Sequence, residues 1–357
     1  MTIGAVMLGI PGIELSDEDI RRLENPLVGG VLLFTRNYSA PEQLTALTQA
    51  IRAIKSPPLL IAADHEGGRV QRFRDGFTVL PPMRALGRLW DQAPREARDV
   101  ARQVGYVLGA ELRAHGVDFS FTPVLDIDFG TSKVIGDRAF HHSPQAIAEL
   151  AHALLQGLHE AGMATVGKHF PGHGFAEADS HTDIPVDDRE LADIELTDLI
   201  PFRQMTDYGL TAVMPAHVIY SKIDKEPAGY SKVWLQDILR GRLGFEGAIF
   251  SDELLMEGAR SAGGIVQRAQ AALSAGCDMV LVCNKPAAMD ELLAGLRWVT
   301  PPISAVRLAR MRGAAQPLDR AELERSAPYR IALHGIATLM SGSGELALGP
   351  DPTVPSG

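Results

Sequence analysis

Cysteine is nearly absent. Cys277 and Cys283 are the two in a chain of 357 residues, and they flank one apolar run, Met279-Val280-Leu281-Val282. Thiols so placed build no disulfide framework and read as small buried hydrophobes of a reducing compartment. Long hydrophobic runs are lacking too, since nothing approaches the roughly 20 apolar residues of a membrane-spanning helix. The opening residues, Met1 to Gly9, are apolar, but no basic flank precedes them, and Pro11 and Asp17-Glu18-Asp19 follow closely. That segment is too short and wrongly flanked for a signal peptide. The expectation is a cytoplasmic protein with no membrane partner. Positive charge is also in deficit, with 34 Lys and Arg against 44 Asp and Glu and a net charge of −10. Such a balance argues against a nucleic-acid partner.

What is present is a globular composition, 46% apolar and 22% charged. Eight short apolar runs recur, at residues 3–8, 30–34, 59–63, 117–121, 164–167, 211–214, 247–251 and 279–282. Most are separated by helical patterns. Ser16 with Asp19 three residues on opens the first. The segment 41–54 carries Leu44, Leu47, Ile51 and Ile54 at helical spacing, and 94–115 carries Val100, Val104, Val107, Leu108 and Leu112. Further helices are expected over 144–161, 196–208, 232–242 and 264–275. Continuous rather than alternating apolar runs suit strands covered on both faces. Eight of them alternating with helices predict an α/β fold, a single-domain (β/α)8 TIM-type barrel over 1–340. An open doubly wound sheet would use the same alternation. Against it, no G-x-G-x-x-G follows the first run, and polar residues follow nearly every run. Residues 285–311 and 321–340 read as further helices, and the Gly/Ser/Pro-rich tail 341–357 is expected to be disordered.

A barrel places its chemistry at the C-terminal ends of its strands. Asp64 ends the third run, Asp126 and Asp128 follow the fourth, and His217 follows the sixth. The densest stretch, Lys168-His169-Phe170-Pro171-Gly172-His173-Gly174, follows the fifth and leads to Asp179-Ser180-His181. Prolines and glycines exclude a helix there, which leaves a titratable loop on a rigid strand. Asp179 and His181 are two apart, so the carboxylate can orient the imidazole as a proton shuttle. His169, His173, Asp179 and His181 are also an open alternative as zinc ligands. Their spacing matches no H-E-x-x-H helix, and Lys168 would lie beside the cation, so no metal or cofactor is expected. Asp64-His65-Glu66-Gly67-Gly68-Arg69-Val70-Gln71-Arg72 offers a carboxylate and a guanidinium to sugar hydroxyls, or a salt-bridged turn. Arg138 either reaches the same pocket or braces its loop. Asp252 leaves the seventh run directly, as a nucleophile, a metal ligand or a structural acceptor.

The lysine-to-histidine stretch, with Asp64 to Arg72 and Phe250-Ser251-Asp252, resembles the family 3 glycoside hydrolases. More narrowly, it is similar to their single-domain bacterial β-N-acetylglucosaminidases of peptidoglycan recycling. The resemblance covers the chain to about residue 340. It implies that Asp252 is the nucleophile and that His181, paired with Asp179, is the general acid/base. It also implies that Asp64, Arg72, Arg138, Lys168 and His169 bind the sugar. His65 departs from a frequent glutamine and Glu253 from a second aspartate. Larger relatives draw a carboxylate acid/base from a second domain, for which this chain has no expected counterpart, so the role falls to His181.

The implied reaction is hydrolysis of terminal β-linked N-acetylglucosamine from muropeptides, with retention and a glycosyl-enzyme intermediate. Two other functions use the same residues. A phosphorylase would replace water by phosphate, which a histidine repels less than a carboxylate does. A non-catalytic sugar-binding barrel would need neither Asp252 nor His181.

Overall fold

In the computed structural model, residues 3–176, 184–314 and 317–342 are described. Eight parallel strands follow in chain order: β1 (Val6–Gly9), β2 (Val28–Leu33), β3 (Leu60–Ala63), β4 (Phe119–Ser120), β5 (Val166–Phe170), β6 (Ala212–Pro215), β7 (Ala248–Glu253) and β8 (Met279–Val282). The sheet runs from β4 back through β1 to β8, then through β7 and β6 to β5. Parallel bridges Phe119–Ala164 and Val124–Lys168 join its two ends. The amide of Val166 donates to Thr122 O at 2.8 Å and that of Lys168 to Pro123 O at 3.1 Å. The ring is a (β/α)8 barrel, as the alternation predicted.

The interior is packed with side chains. Phe119 and Phe250 lie 5.3 Å apart between centroids, and Phe121 and Phe250 5.5 Å apart. Because β5 and β6 separate β4 from β7 around the ring, these contacts cross its centre. The outer layer is as tightly built. A Cβ at Gly157 would lie 1.9 Å from the carbonyl oxygen of Arg102, and one at Gly105 2.1 Å from that of Leu154. Glycine at both positions lets helices Pro94–Ala114 and Pro144–Glu160 touch backbone to backbone.

Most helices begin within a residue or two of the expected starts. Asp17–Glu24 starts with the Ser16–Asp19 capping box, the Asp19 amide donating to Ser16 Oγ at 3.2 Å. Several boundaries differ. The helix expected over 196–208 is two, Leu191–Glu195 and Leu199–Asp207. Pro201 sits in the second one's first turn, where its missing N–H has no intrahelical role. Helix Met83–Gln92 was not anticipated, although Met83, Leu86, Leu89 and Trp90 pack against the core at helical spacing. The Pro81-Pro82 pair before it resembles a loop. Val233–Arg242 is a π-helix. Segment 285–311 holds helices Pro286–Gly295 and Pro302–Ala309. Segment 321–340 becomes Arg320–Arg325 and Ala327–Gly342. Thus Ser341 is still helical, while the rest of the tail expectation, from 343, lies outside the described residues.

Two buried aspartates tie the strand starts together. Asp118 Oδ2 accepts from the Ile61 amide at 2.9 Å, and Asp118 Oδ1 from Arg52 at 2.8 Å. Asp278 Oδ2 accepts from the Ile249 amide at 2.8 Å and from Arg240 at 3.2 Å, and its Oδ1 from Ser304 Oγ at 2.5 Å. Each lies just before its strand, at the end of the barrel opposite the expected chemistry. Asp278→Asn keeps the shape but strands a buried cation, so it should cost about 2–4 kcal/mol. The expected result is a lower melting temperature with kcat unchanged, checked by calorimetry alongside an activity assay.

Candidate active site

Five charged side chains meet where β3 and β5 end. Asp64 follows β3 directly, and its carboxylate accepts from Lys168 Nζ at 2.6 Å through Oδ1 and from Arg72 Nη2 at 3.2 Å through Oδ2. Lys168, inside β5, also contacts Glu66 Oε1 at 2.6 Å. Glu66 takes Arg138 in a fork, Nε to Oε2 at 2.9 Å and Nη2 to Oε1 at 2.8 Å. Arg72, Lys168, Glu66 and Arg138 are all buried. Burial alone would raise the Glu66 carboxyl, but Arg138 and Lys168 hold it well below the usual carboxylate range. Burial likewise opposes the Lys168 charge, and the Asp64 and Glu66 carboxylates outweigh it.

The loop bearing Arg138 has its own brace. Arg69 Nε donates to Asp137 at 2.9 Å, and its Nη2 donates to the carbonyls of Lys133 and Val134, both at 3.0 Å. Arg138 does both things the sequence allowed, bracing its loop through Nη1 to Val134 O and reaching Glu66 in the cluster.

Asp126, just past β4, fixes the histidine stretch. Its Oδ2 lies 2.7 Å from His169 Nδ1, and its Oδ1 accepts from the amides of His169 at 3.2 Å and His173 at 2.7 Å. The carboxylate sets the proton on His169 Nδ1, leaving Nε2 as the nitrogen for a ligand. Gly174 closes against Ile127, where a Cβ would lie 1.8 Å from the carbonyl oxygen. Tyr220 Oη donates to Gly172 O at 2.7 Å. Further along, Val186–Asp187 pairs in parallel with Ile219–Tyr220. Both stems of the segment 177–183 are thus tied to the barrel mouth. Asp179 and His181 themselves lie outside the described residues.

Asp252 belongs to β7, partly exposed at its end. The Glu253 amide donates to its Oδ1 at 2.7 Å. Behind it, buried His217 donates from Nε2 to Glu253 O at 3.1 Å, and burial depresses its basicity, so the ring is neutral there. Glu253 accepts from the Leu255 amide at 3.1 Å and the Cys283 amide at 2.8 Å, and burial pushes its carboxyl up to about 7.

A carboxylate at the end of β7 and buried donors at the ends of β3 and β5 lie at one end of the barrel, an arrangement that suits a polyhydroxylated ligand. The profile of the glycosyl hydrolase family 3 N-terminal domain matches residues 5–307. The chain belongs to glycoside hydrolase family 3. It is a glycoside hydrolase, 61% identical over 348 residues to a β-hexosaminidase of Nitrosospira multiformis, covering 98% of this chain and 100% of that one. It superposes on NagZ of Neisseria gonorrhoeae in complex with N-trifluoroacetyl-D-glucosamine with a TM-score of 0.90 and 48% identity, covering 96% of this chain and 99% of that one. NagZ of the same organism in complex with zinc ion gives a TM-score of 0.89 and 46% identity, covering 95% and 98%.

Of the glycosidase residues expected from sequence, Asp64, Arg72, Arg138 and Lys168 form one connected cluster. His169 lies beside it, through Lys168 and Asp126. Of the two aspartates after β4, only Asp126 belongs to the site. Asp128 pairs with Arg84 at 3.3 Å and caps its own turn. His65 belongs to the core, 5.7 Å from the Phe73 ring, and burial with Arg72 nearby pushes its imidazole down to about 3. Sequence reasoning missed the service of Glu66 to two cations. Its one signal was a position two residues past Asp64. Among the described residues no group of three or more His, Cys, Asp or Glu could hold a metal ion. The zinc alternative leaned on Asp179 and His181, outside them.

Two outcomes are expected. Asp126→Asn should release the His169 tautomer and raise KM about 10-fold or more, while the melting temperature moves less than for Asp278→Asn. Glu253 supplies a pH dependence. Its folded carboxyl titrates near 7 against an ordinary 4.5, so between those values the native state holds a proton that the unfolded chain releases. Stability from this group is present below that window and lost as pH rises through it. Melting scans from pH 4.5 to 8 should show Glu253→Gln without that component.

Proposed function

We propose that this enzyme is a retaining exo-β-N-acetylglucosaminidase that removes terminal N-acetylglucosamine from muropeptides, including anhydro-muramyl conjugates, in peptidoglycan recycling. What carries the reading is the buried cluster of Asp64, Arg72, Arg138 and Lys168, set at the same end of the barrel as Asp252. Support comes from the gonococcal relative, which takes an N-acylated glucosamine. In this reading Asp64 and His169 Nε2 accept from sugar hydroxyls, while Arg72, Arg138 and Lys168 donate to them. The sugar is gripped from β3 and β5 while its anomeric carbon is presented to β7.

Asp252 Oδ then attacks that carbon, and the bond to the leaving oxygen breaks. His181, as imidazolium oriented by Asp179, gives that oxygen its proton. The imidazole, now neutral, takes a proton from water as the water attacks the glycosyl ester, and Asp252 leaves as carboxylate with net retention. No metal takes part, although the gonococcal protein binds zinc. Activity should therefore survive dialysis against a chelator; loss that returns with added zinc would contradict this. The reading places the reaction in the cytoplasm. Among the described residues no helix is long and apolar enough to cross a membrane. Both thiols are free and buried, as a reducing compartment permits.

The experiment is leaving-group dependence. A nitrophenolate departs almost unaided, whereas a sugar alkoxide needs a proton, and general acid catalysis contributes about 10²–10⁴-fold. His181→Ala should lose far more glycosylation rate on a disaccharide than on a nitrophenyl glycoside. Azide should partly rescue deglycosylation, and Asp179→Asn should show a milder form of the same pattern. Equal slowing on every leaving group without rescue would remove His181 from proton transfer. Running the wild type with and without phosphate, and identifying the sugar product, separates hydrolysis from phosphorolysis.

A further inference from the structure

Glu66 is buried with both oxygens facing cations: Oε1 toward Lys168 Nζ and Arg138 Nη2, Oε2 toward Arg138 Nε. An ammonium has three N–H donors. Asp64 at 2.6 Å and Glu66 at 2.6 Å are placed to take two from Lys168, so together they fix where the third points. Arg138 is turned in the same way. Its Nε and one Nη2 hydrogen go to Glu66, and Nη1 donates to Val134 O at 3.2 Å. The direction of its remaining hydrogens follows. The backbone of Glu66 is itself set by a tight turn, the Glu66 amide donating to Val70 O at 2.7 Å. Gly67 enters that turn at φ +109°, and a Cβ there would meet Pro81 O at 2.6 Å. A turn braced on one side and a carboxylate saturated on the other make a rigid mount.

We propose that Glu66 is a positioning residue of the sugar site, aiming one donor of Lys168 and the outer edge of Arg138 at the bound amino sugar. This rests on the reading in which Lys168 and Arg138 hold that sugar. The cluster has two carboxylates, Asp64 and Glu66, against three cations, Arg72, Arg138 and Lys168. Loss of the Glu66 charge would leave three buried cations facing Asp64 alone. A glutamine cannot replace it, since it carries no charge and, with its oxygen in the place of Oε1, its amide N–H would face the Arg138 Nε–H. The groups facing Lys168 are Asp64, Glu66 and Arg138, and burial and Arg138 both favour its neutral form. Without Glu66 the ammonium should therefore lose its proton at a lower pH, whereas a merely structural salt bridge would leave no such mark on ligand binding.

The test is calorimetric titration of the full-length protein with N-acetylglucosamine, using E66Q, K168A, R138A and the E66Q/K168A pair, with folding checked by circular dichroism. K168A and R138A should each weaken binding by about 10-fold or more. E66Q should do the same, and should cost less in the K168A background than in the wild type, because one of its two partners has gone while Arg138 remains. Wild-type affinity should hold into the alkaline range, while E66Q should lose affinity at lower pH than the wild type. If E66Q does not fold, Glu66→Asp keeps the charge but cannot span both partners, and it should show the same loss and the same coupling at neutral pH. Binding within 2-fold of wild type by the folded Glu66 variant, or full additivity with K168A, would overturn the inference. Unchanged binding in both K168A and R138A would overturn the sugar-site reading itself, in an arm where Glu66 plays no part.

Discussion

The charged cluster around Lys168 is the constraint on which the mouth of this barrel depends. An ammonium on a barrel strand, buried and 2.6 Å from each of two carboxylates, is stable only while both are present. Those carboxylates come from one short stretch after β3, and the lysine comes from β5. The strands cannot shift relative to each other without leaving a charge unpaired. Arg72 and Arg138 extend the same bond to the segment after β3 and the loop after β4. Three segments distant in sequence are thereby held in one register before any ligand arrives. Such preorganisation is what a site for a hydroxyl-rich ring requires, because each donor aimed in advance avoids an ordering cost on binding.

The two ends of the barrel use buried carboxylates differently. At the strand starts, Asp118 and Asp278 accept from a neighbouring strand's amide as well as from arginine, and they are fully committed to the fold. At the strand ends, Asp126 is committed to the His169 and His173 backbone, Glu66 to cations, and Glu253 to amides, while Asp252 is partly exposed. The division explains why a barrel can carry so many charges at one end without losing stability. The supports are held by cations or by backbone amides, and Asp252 stands at the end of a rigid strand.

The strands were legible because burial on both faces leaves continuous apolar runs such as Leu59 to Ala63 and Met279 to Val282. Asp64, Lys168 and Asp252 were legible because they end or interrupt such runs, where a charge has no packing role. Arg138 was ambiguous, since a loop arginine looks the same whether it braces or reaches; in three dimensions it does both, to Val134 O and to Glu66. Glu66 was overlooked for a related reason. Its importance lies in what it pairs with across 72 and 102 residues of chain, and no local pattern encodes that. Helix Met83–Gln92 was not read from the sequence, although a proline pair just outside a helix start costs the helix nothing. The break at Leu196 and the π-helical turn of Val233–Arg242 depend on tertiary packing that periodicity does not see.

In the proposed mechanism Asp252 forms the covalent bond to the sugar. The most direct measurement is mass spectrometry of peptides from the enzyme incubated with a slow fluorinated N-acetylglucosaminide. The account predicts one added sugar, on the peptide containing Asp252, and none in Asp252→Ala. A label on Glu253 or Glu66, or turnover by Asp252→Ala at the wild-type rate, would contradict it.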